Sequence, residues 1–173
     1  MAGSKDDSSS VRIRSAEAAD APSITRIYNI GIAERAATFE TEARTVAQTL
    51  ARLEKRNRYP ILVAADADDV VGWAGLGEYS PRACYAGIAE FSIYLAPEVR
   101  GRGIGKRLLQ SLVDAARERG FWKLVSRVFP TNVPSRALCR ACGFREVGIY
   151  QKHGQLDGKW LDAVIVEKVL LDD

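Results

Sequence analysis

The chain has few of the residues that build covalent or metal-bound frameworks: three cysteines and one histidine in 173 residues. Three cysteines cannot all pair, and with no export signal they read as reduced thiols rather than a disulfide frame. Cys139 and Cys142 have CxxC spacing, but the only other thiol is the distant Cys84 and the only histidine is His153, so no metal site is expected. The pair reads instead as two small apolar residues on a short helix. No apolar run approaches the roughly 18 residues of a membrane span. Met1 to Ser10 is small and polar, without the apolar stretch of a secretory signal, and is expected to be a disordered leader or cloning remnant. The cytoplasm is the expected location. A net charge of +3 is too small to argue for nucleic acid, although Arg100, Arg102, Lys106 and Arg107 are locally dense and ask for a local anion.

What is present is enough for one ordinary domain over residues 11–173. At 47% hydrophobic and 27% charged, the chain is not generally disordered. Val11 to Arg14 alternates as a strand, and Asp20 and Pro22 mark a helix start before Ile24, Ile27, Tyr28 and Ile32 at helical spacing. Thr45 and Gln48 have capping-box spacing ahead of Val46, Leu50 and Leu53, predicted to share one face of a helix that stops near Asn57. Tyr59 to Ala65 and Val70 to Leu76 form a predicted hairpin, followed by a loop from Tyr79 to Tyr85. Ile88 to Leu95 is a strand with Phe91, Ile93 and Leu95 on one face and Glu90, Ser92 and Tyr94 on the other, which puts one carboxylate on an otherwise uncharged strand. An amphipathic helix runs from Gly103 to Arg119, then a strand from Lys123 to Phe129, a short helix from Pro134 to Cys142, and strands from Phe144 to Tyr150 and Trp160 to Leu170. The order is mixed α+β, without repeats.

The segment Arg100-Gly101-Arg102-Gly103-Ile104-Gly105 stands directly between a strand and a long helix. Such a loop can turn several backbone N–H groups toward one point, where the helix dipole adds positive potential and glycines allow close approach. It is not a GxxxxGK[ST] loop, and its alternate glycines miss the GxGxxG spacing. A pyrophosphate is the natural guest.

Glu90-Phe91-Ser92-Ile93-Tyr94-Leu95-Ala96-Pro97, this loop, Asn132 and the Gly143-Phe144 ending together resemble the GCN5-related N-acetyltransferase (GNAT) superfamily from about Val11 to Leu170. The resemblance implies a mixed, mostly antiparallel sheet of about six to seven strands flanked by about four helices, with splayed strands holding the coenzyme. It implies acetyl-CoA as co-substrate. Arg100, Gly101, Arg102, Gly103, Ile104 and Gly105 match its pyrophosphate loop, Ile93, Tyr94 and Leu95 its pantetheine strand, and Asn132 a coenzyme contact. Ala37-Thr38-Phe39-Glu40, Cys84-Tyr85-Ala86-Gly87 and Asp157-Gly158-Lys159-Trp160-Leu161-Asp162 look like the phosphinothricin and arsinothricin N-acetyltransferase branch. That branch acetylates the amine of a glutamate analogue, which implies a resistance role, and a homodimer.

Within this resemblance Glu90 matches the general base, and His153 a histidine that could also move a proton, since histidine ordinarily changes charge near neutral pH. Many superfamily members have a proton-donating tyrosine seven residues after the asparagine; here the position is Cys139. Arg82 is the expected partner of the acceptor's anionic group, with Tyr28, Phe39, Glu40 and Tyr79 lining the pocket. Two other readings remain open: acetylation of methionine sulfone, methionine sulfoximine or protein N-termini, and a coenzyme-binding regulator without catalysis.

Overall fold

The computed structural model of the chain describes residues 10–171, so the expected leader lies outside the described residues except for Ser10, whose hydroxyl donates to Asp66. Seven strands form one sheet in the order β1-β2-β3-β4-β5-β7-β6, with β1 Val11–Ser15, β2 Ile61–Asp66, β3 Asp69–Glu78, β4 Ile88–Leu95, β5 Lys123–Val128, β6 Arg145–Leu156 and β7 Lys159–Val169. All neighbours are antiparallel except β4 and β5. Four α-helices accompany the sheet: α1 Ala21–Ala33, α2 Val46–Glu54, α3 Ile104–Glu118 and α4 Val133–Ala141. No helix among the described residues is long and apolar enough to cross a membrane.

The alternation of β4 sorts the helices onto two faces. On one face Tyr94 meets Tyr28 of α1 edge-on at 4.9 Å, and a Cβ on Gly31 would lie 2.8 Å from the Tyr94 ring. On the other, Leu95 lies against Gly105 of α3, and Phe91 against Phe144 at 4.8 Å. Helix α3 is held by a stripe that includes Leu108, Leu109 and Leu112, all fully buried. Each such side chain contributes about 1.5–3 kcal/mol, so tertiary packing fixes where the N-terminus of α3 sits.

Helix α2 has the expected capping box: the Gln48 N–H donates to Thr45 Oγ1, and the Gln48 side chain accepts from the Thr45 N–H. Its buried face differs from the sequence expectation. Val46 and Leu50 are 39% and 38% exposed, whereas Thr49 and Leu53 are buried. Helix α2 instead turns Thr49 toward α1, where the Thr25 and Thr49 hydroxyls meet at 2.6 Å. Asp20 stands at the start of α1 as expected, but it caps differently. Its carboxylate accepts from Arg14 and from the Glu17 N–H rather than from the first turn of α1.

Strands β6 and β7 run further than predicted because Asp157 and Gly158, at φ 49° and 76°, close them in a two-residue turn. His153 therefore lies within β6, where the register shifts between Tyr150 and Gly154. At the far side of this hairpin the buried Glu167 is held between Lys123 and Arg145. The hydrogen bond from Lys123, then the two cations, keeps its carboxyl below the ordinary glutamate range against the opposing effect of burial. A carboxyl depressed in the folded state adds stability above its unfolded value, about pH 4.3, and loses it as pH falls through the folded value. Denaturant titrations should accordingly show the wild type losing more stability than Glu167→Gln between pH 6 and pH 3. Parallel losses in the two proteins would show that Glu167 plays no part in acid unfolding.

Candidate active site

Strands β4 and β5 pair at only three positions, Ile88 with Lys123, Ala89 with Leu124 and Glu90 with Val125. Beyond Glu90 they part, and the Ser126 hydroxyl donates to the Phe91 carbonyl at the point of separation. From Phe91 onward β4 has a strand partner only in β3, where Ile93, Tyr94 and Leu95 oppose Ala74, Trp73 and Gly72. A cleft of about 670 Å³ includes this open stretch of Ser92, Ile93 and Tyr94 in its wall.

The glycine segment between β4 and α3 is tied down at its first residue. Arg100 grips both oxygens of Glu34, at the end of α1, at 2.9 and 3.0 Å and also donates to the Leu95 carbonyl. Gly101 and Gly103 then take φ of 76° and 77°, and a Cβ on either would meet nothing within 4 Å. These glycines are required for chain direction rather than for room inside the protein. Gly103 is the N-cap of α3 and offers no side-chain oxygen, so the first-turn N–H groups have no side-chain cap. An uncapped helix start behind an open glycine loop leaves backbone N–H groups available to an anion. Asn132 also borders the cleft, but its side chain works within the protein: Oδ1 accepts from the Ser135 N–H and Nδ2 donates to the Ala36 carbonyl.

The structure also brings Tyr28, Phe39, Glu40, Glu90 and His153 to this cleft. Phe39 packs edge-on to Phe129 at 4.8 Å and lies against Gly154, where a Cβ would fall 2.8 Å from the ring. His153 stacks obliquely on Tyr150 at 4.9 Å. Glu90 is half-buried, and its carboxylate is gripped by Arg127 at 2.6 and 2.7 Å. Tyr79 and Arg82 are not brought in. They occupy the connection between β3 and β4, where each packs on Tyr85, and within the described residues of one chain neither lines the cleft.

Sequence reasoning missed three guanidiniums that do line it: Arg44, Arg52 and Arg127. For Arg127 the signal was available, a charge interrupting an apolar strand, the same signal that singled out Glu90. Arg44 and Arg52 belong to a run rich in exposed charge and carry no distinguishing local pattern. Cys139 and Cys142 are both buried, as two small apolar residues would be, and Cys139 reaches the cleft wall. Burial pushes the Cys139 thiol up to about 12. Burial likewise raises the Tyr94 hydroxyl well above the usual tyrosine range. Among the described residues no cluster of three His, Cys, Asp or Glu side chains could hold a metal ion.

Parting two parallel strands above an uncapped helix start leaves a slot for an extended thioester, and the class of protein so defined is a coenzyme-dependent acyltransferase. Residues 24–144 match the Acetyltransferase (GNAT) family; the chain belongs to it and is an N-acetyltransferase. It is 36% identical over 161 residues to an L-methionine sulfoximine/L-methionine sulfone acetyltransferase of Pseudomonas aeruginosa, covering 91% of this chain and 94% of that one. A phosphinothricin N-acetyltransferase of Alcaligenes faecalis is 34% identical over 155 residues, covering 87% and 78%. In structure the chain is similar to a GNAT-superfamily phosphinothricin acetyltransferase from Sinorhizobium meliloti in complex with acetyl-CoA. The TM-score is 0.87 at 36% identity, covering 93% of this chain and 89% of that one.

Proposed function

We propose that residues 11–173 act as one domain that transfers the acetyl group of acetyl-CoA to the amine of a glutamate-analogue amino acid such as phosphinothricin or arsinothricin, removing its mimicry of glutamate. The observation that carries this reading is the meeting, in one cleft beside the strand separation, of the Glu90 carboxylate with the guanidiniums of Arg44, Arg52 and Arg127. Cations suit an acceptor with more than one anionic group, and the carboxylate suits the proton that its amine must lose.

Acetyl-CoA supplies an activated acetyl group. The loop from Arg100 to Gly105 holds its pyrophosphate, the open edge of β4 aligns its arm, and Asn132 lies beside it. The acceptor arrives as an ammonium, with a pKa of roughly 8 to 10, and cannot attack until it is deprotonated. Arg127 fixes the Glu90 carboxylate but does not exhaust it: Oε1 accepts two of its N–H groups and Oε2 one, which leaves Oε2 a lone pair for the amine proton, directly or through water. His153 borders the same cleft and serves as an orienting or proton-moving group. Cys139, with its thiol near 12, is a weaker acid than an ordinary thiol at about 8.5. The coenzyme thiolate then departs without a proton from it.

Three free cysteines agree with a reducing compartment, and the proposal places the enzyme in the cytoplasm. It also includes a homodimer, supported by the exposed Val147, Ile149 and Tyr150 on the edge strand β6. The methionine sulfone and sulfoximine relative supports a second reading in which those amino acids are the acceptors. A thiol-release assay with acetyl-CoA should show turnover with phosphinothricin and arsinothricin exceeding that with methionine sulfone, and none with a peptide amine. A preference for methionine sulfone would select the second reading. No thiol release with any amine would leave a coenzyme-binding regulator.

A further inference from the structure

Arg52 differs from the other cations of the cleft. Arg127 is paired with Glu90, and Arg44 lies 3.5 Å from Glu40 with its guanidinium 3.8 Å over the Tyr28 ring. Arg52 has no hydrogen bond and no ion pair with any described residue; its guanidinium lies 5.1 Å over the ring of Trp73. Trp73 in turn stacks on Tyr94 at 5.4 Å, so the cation rests on an aromatic wall. A guanidinium set against an aromatic wall without a counter-ion is an arrangement that an arriving anion would stabilise. Burial, and after it the nearby Arg44, destabilises the charged form, although a guanidinium stays protonated at neutral pH.

Space is present for such an anion. A second cavity of about 560 Å³ shares Arg44, Arg52, Phe39 and Glu40 with the main cleft, but Glu90 and β4 do not line it. The amine must react beside Glu90, and the α-carboxylate is only one carbon away from that amine. The far end of the acceptor side chain is the part that can extend toward the second cavity.

We infer that Arg52, assisted by Arg44, binds the terminal anionic group of the acceptor, and that Arg52 is thereby the residue that separates anionic glutamate analogues from the uncharged sulfone of methionine. The inference rests on the proposed amino-acid acetylation and adds the residue that sets its specificity. Arg44 contributes less because its guanidinium already has Glu40 and the Tyr28 ring.

Steady-state kinetics of the wild type, Arg52→Met and Arg52→Lys with phosphinothricin and methionine sulfone test it. Arg52→Met should raise KM for phosphinothricin at least about tenfold while kcat falls less, and should raise KM for methionine sulfone by a clearly smaller factor, so that the ratio of kcat/KM for the two acceptors shifts toward the sulfone. Arg52→Lys should recover part of the loss, because it returns a point charge without the bidentate fork. A second readout does not need turnover: inorganic phosphate should raise the melting temperature of the wild type more than that of Arg52→Met, which keeps the Arg100–Gly105 loop, and the variant's own melting temperature without ligand should be equal to or above the wild type's. Equal losses with both acceptors would mean that Arg52 reads the shared α-carboxylate or supports the fold, and would overturn the inference, as would an unchanged ratio. If the wild type acetylates neither amino acid, the proposed function fails by itself. The phosphate-dependent melting shift then still decides whether Arg52 is an anion site.

Discussion

Glu90→Gln is expected to fold, to bind acetyl-CoA as tightly as the wild type, and to lose about 10²–10⁴-fold in kcat at pH 7. The substitution keeps the shape of the side chain and removes only the oxygen charge that takes the amine proton. Stability should change little. The Glu90–Arg127 pair is partly exposed, with side-chain exposures of 30% and 48%, and pairs of that kind contribute about 0–1 kcal/mol. Raising the pH should restore part of the activity, because more of the acceptor arrives already deprotonated as the solution approaches the amine's own pKa, roughly 8 to 10. The comparison that decides the assignment is His153→Ala, which borders the same cleft from β6. If His153 only orients the acceptor, its removal should raise the acceptor KM more than it lowers kcat. A folded, inactive His153→Ala beside a Glu90→Gln enzyme with near-normal kcat would transfer the role of base to His153.

Gly103→Val should weaken acetyl-CoA binding at least tenfold, about 1.4 kcal/mol, in a protein that still folds. The cause is backbone direction and not collision. At φ 77° a β-branched residue is strained by about 1–3 kcal/mol, while the added atoms meet nothing within 4 Å. The loop can relieve that strain by turning Gly103 toward negative φ, which redirects the N–H groups at the start of α3 away from the position of the pyrophosphate. Gly120→Val supplies the control. Gly120 has φ 76° with equally open surroundings, but it follows the other end of α3. It should lower the melting temperature and leave coenzyme affinity unchanged in calorimetry. Unaltered affinity in folded Gly103→Val would remove the glycine loop from the binding site.

The parts of the molecule that were legible in the sequence are those decided by short-range physics. The apolar stripe of α3, the reciprocal Thr45 and Gln48 cap and the alternation of β4 depend on residues within a turn or two of one another, and each recurs in the structure. The glycine loop was legible for the same reason, since positive φ at Gly101 and Gly103 is a local demand. The Asp157-Gly158 turn is equally local, and its dipeptide was the available sign that β6 and β7 continue to it. Val46 and Leu50 show the limit of local reading: they have helical spacing with Leu53, yet the packing of α2 leaves them exposed.

By itself, then, the sequence determined the α+β order, the glycine loop at the start of α3 and the carboxylate on β4, because backbone conformation and side-chain alternation are set by near neighbours. Only the tertiary structure decided which charges share the cleft. Arg82 and Arg52 are both arginines in polar stretches, and nothing local separates them. Long-range packing turns Arg82 onto Tyr85 outside the cleft and lays Arg52 over Trp73 within it. A cation's surroundings are set by residues distant in the chain, so its role is fixed when the sheet and helices assemble and not before.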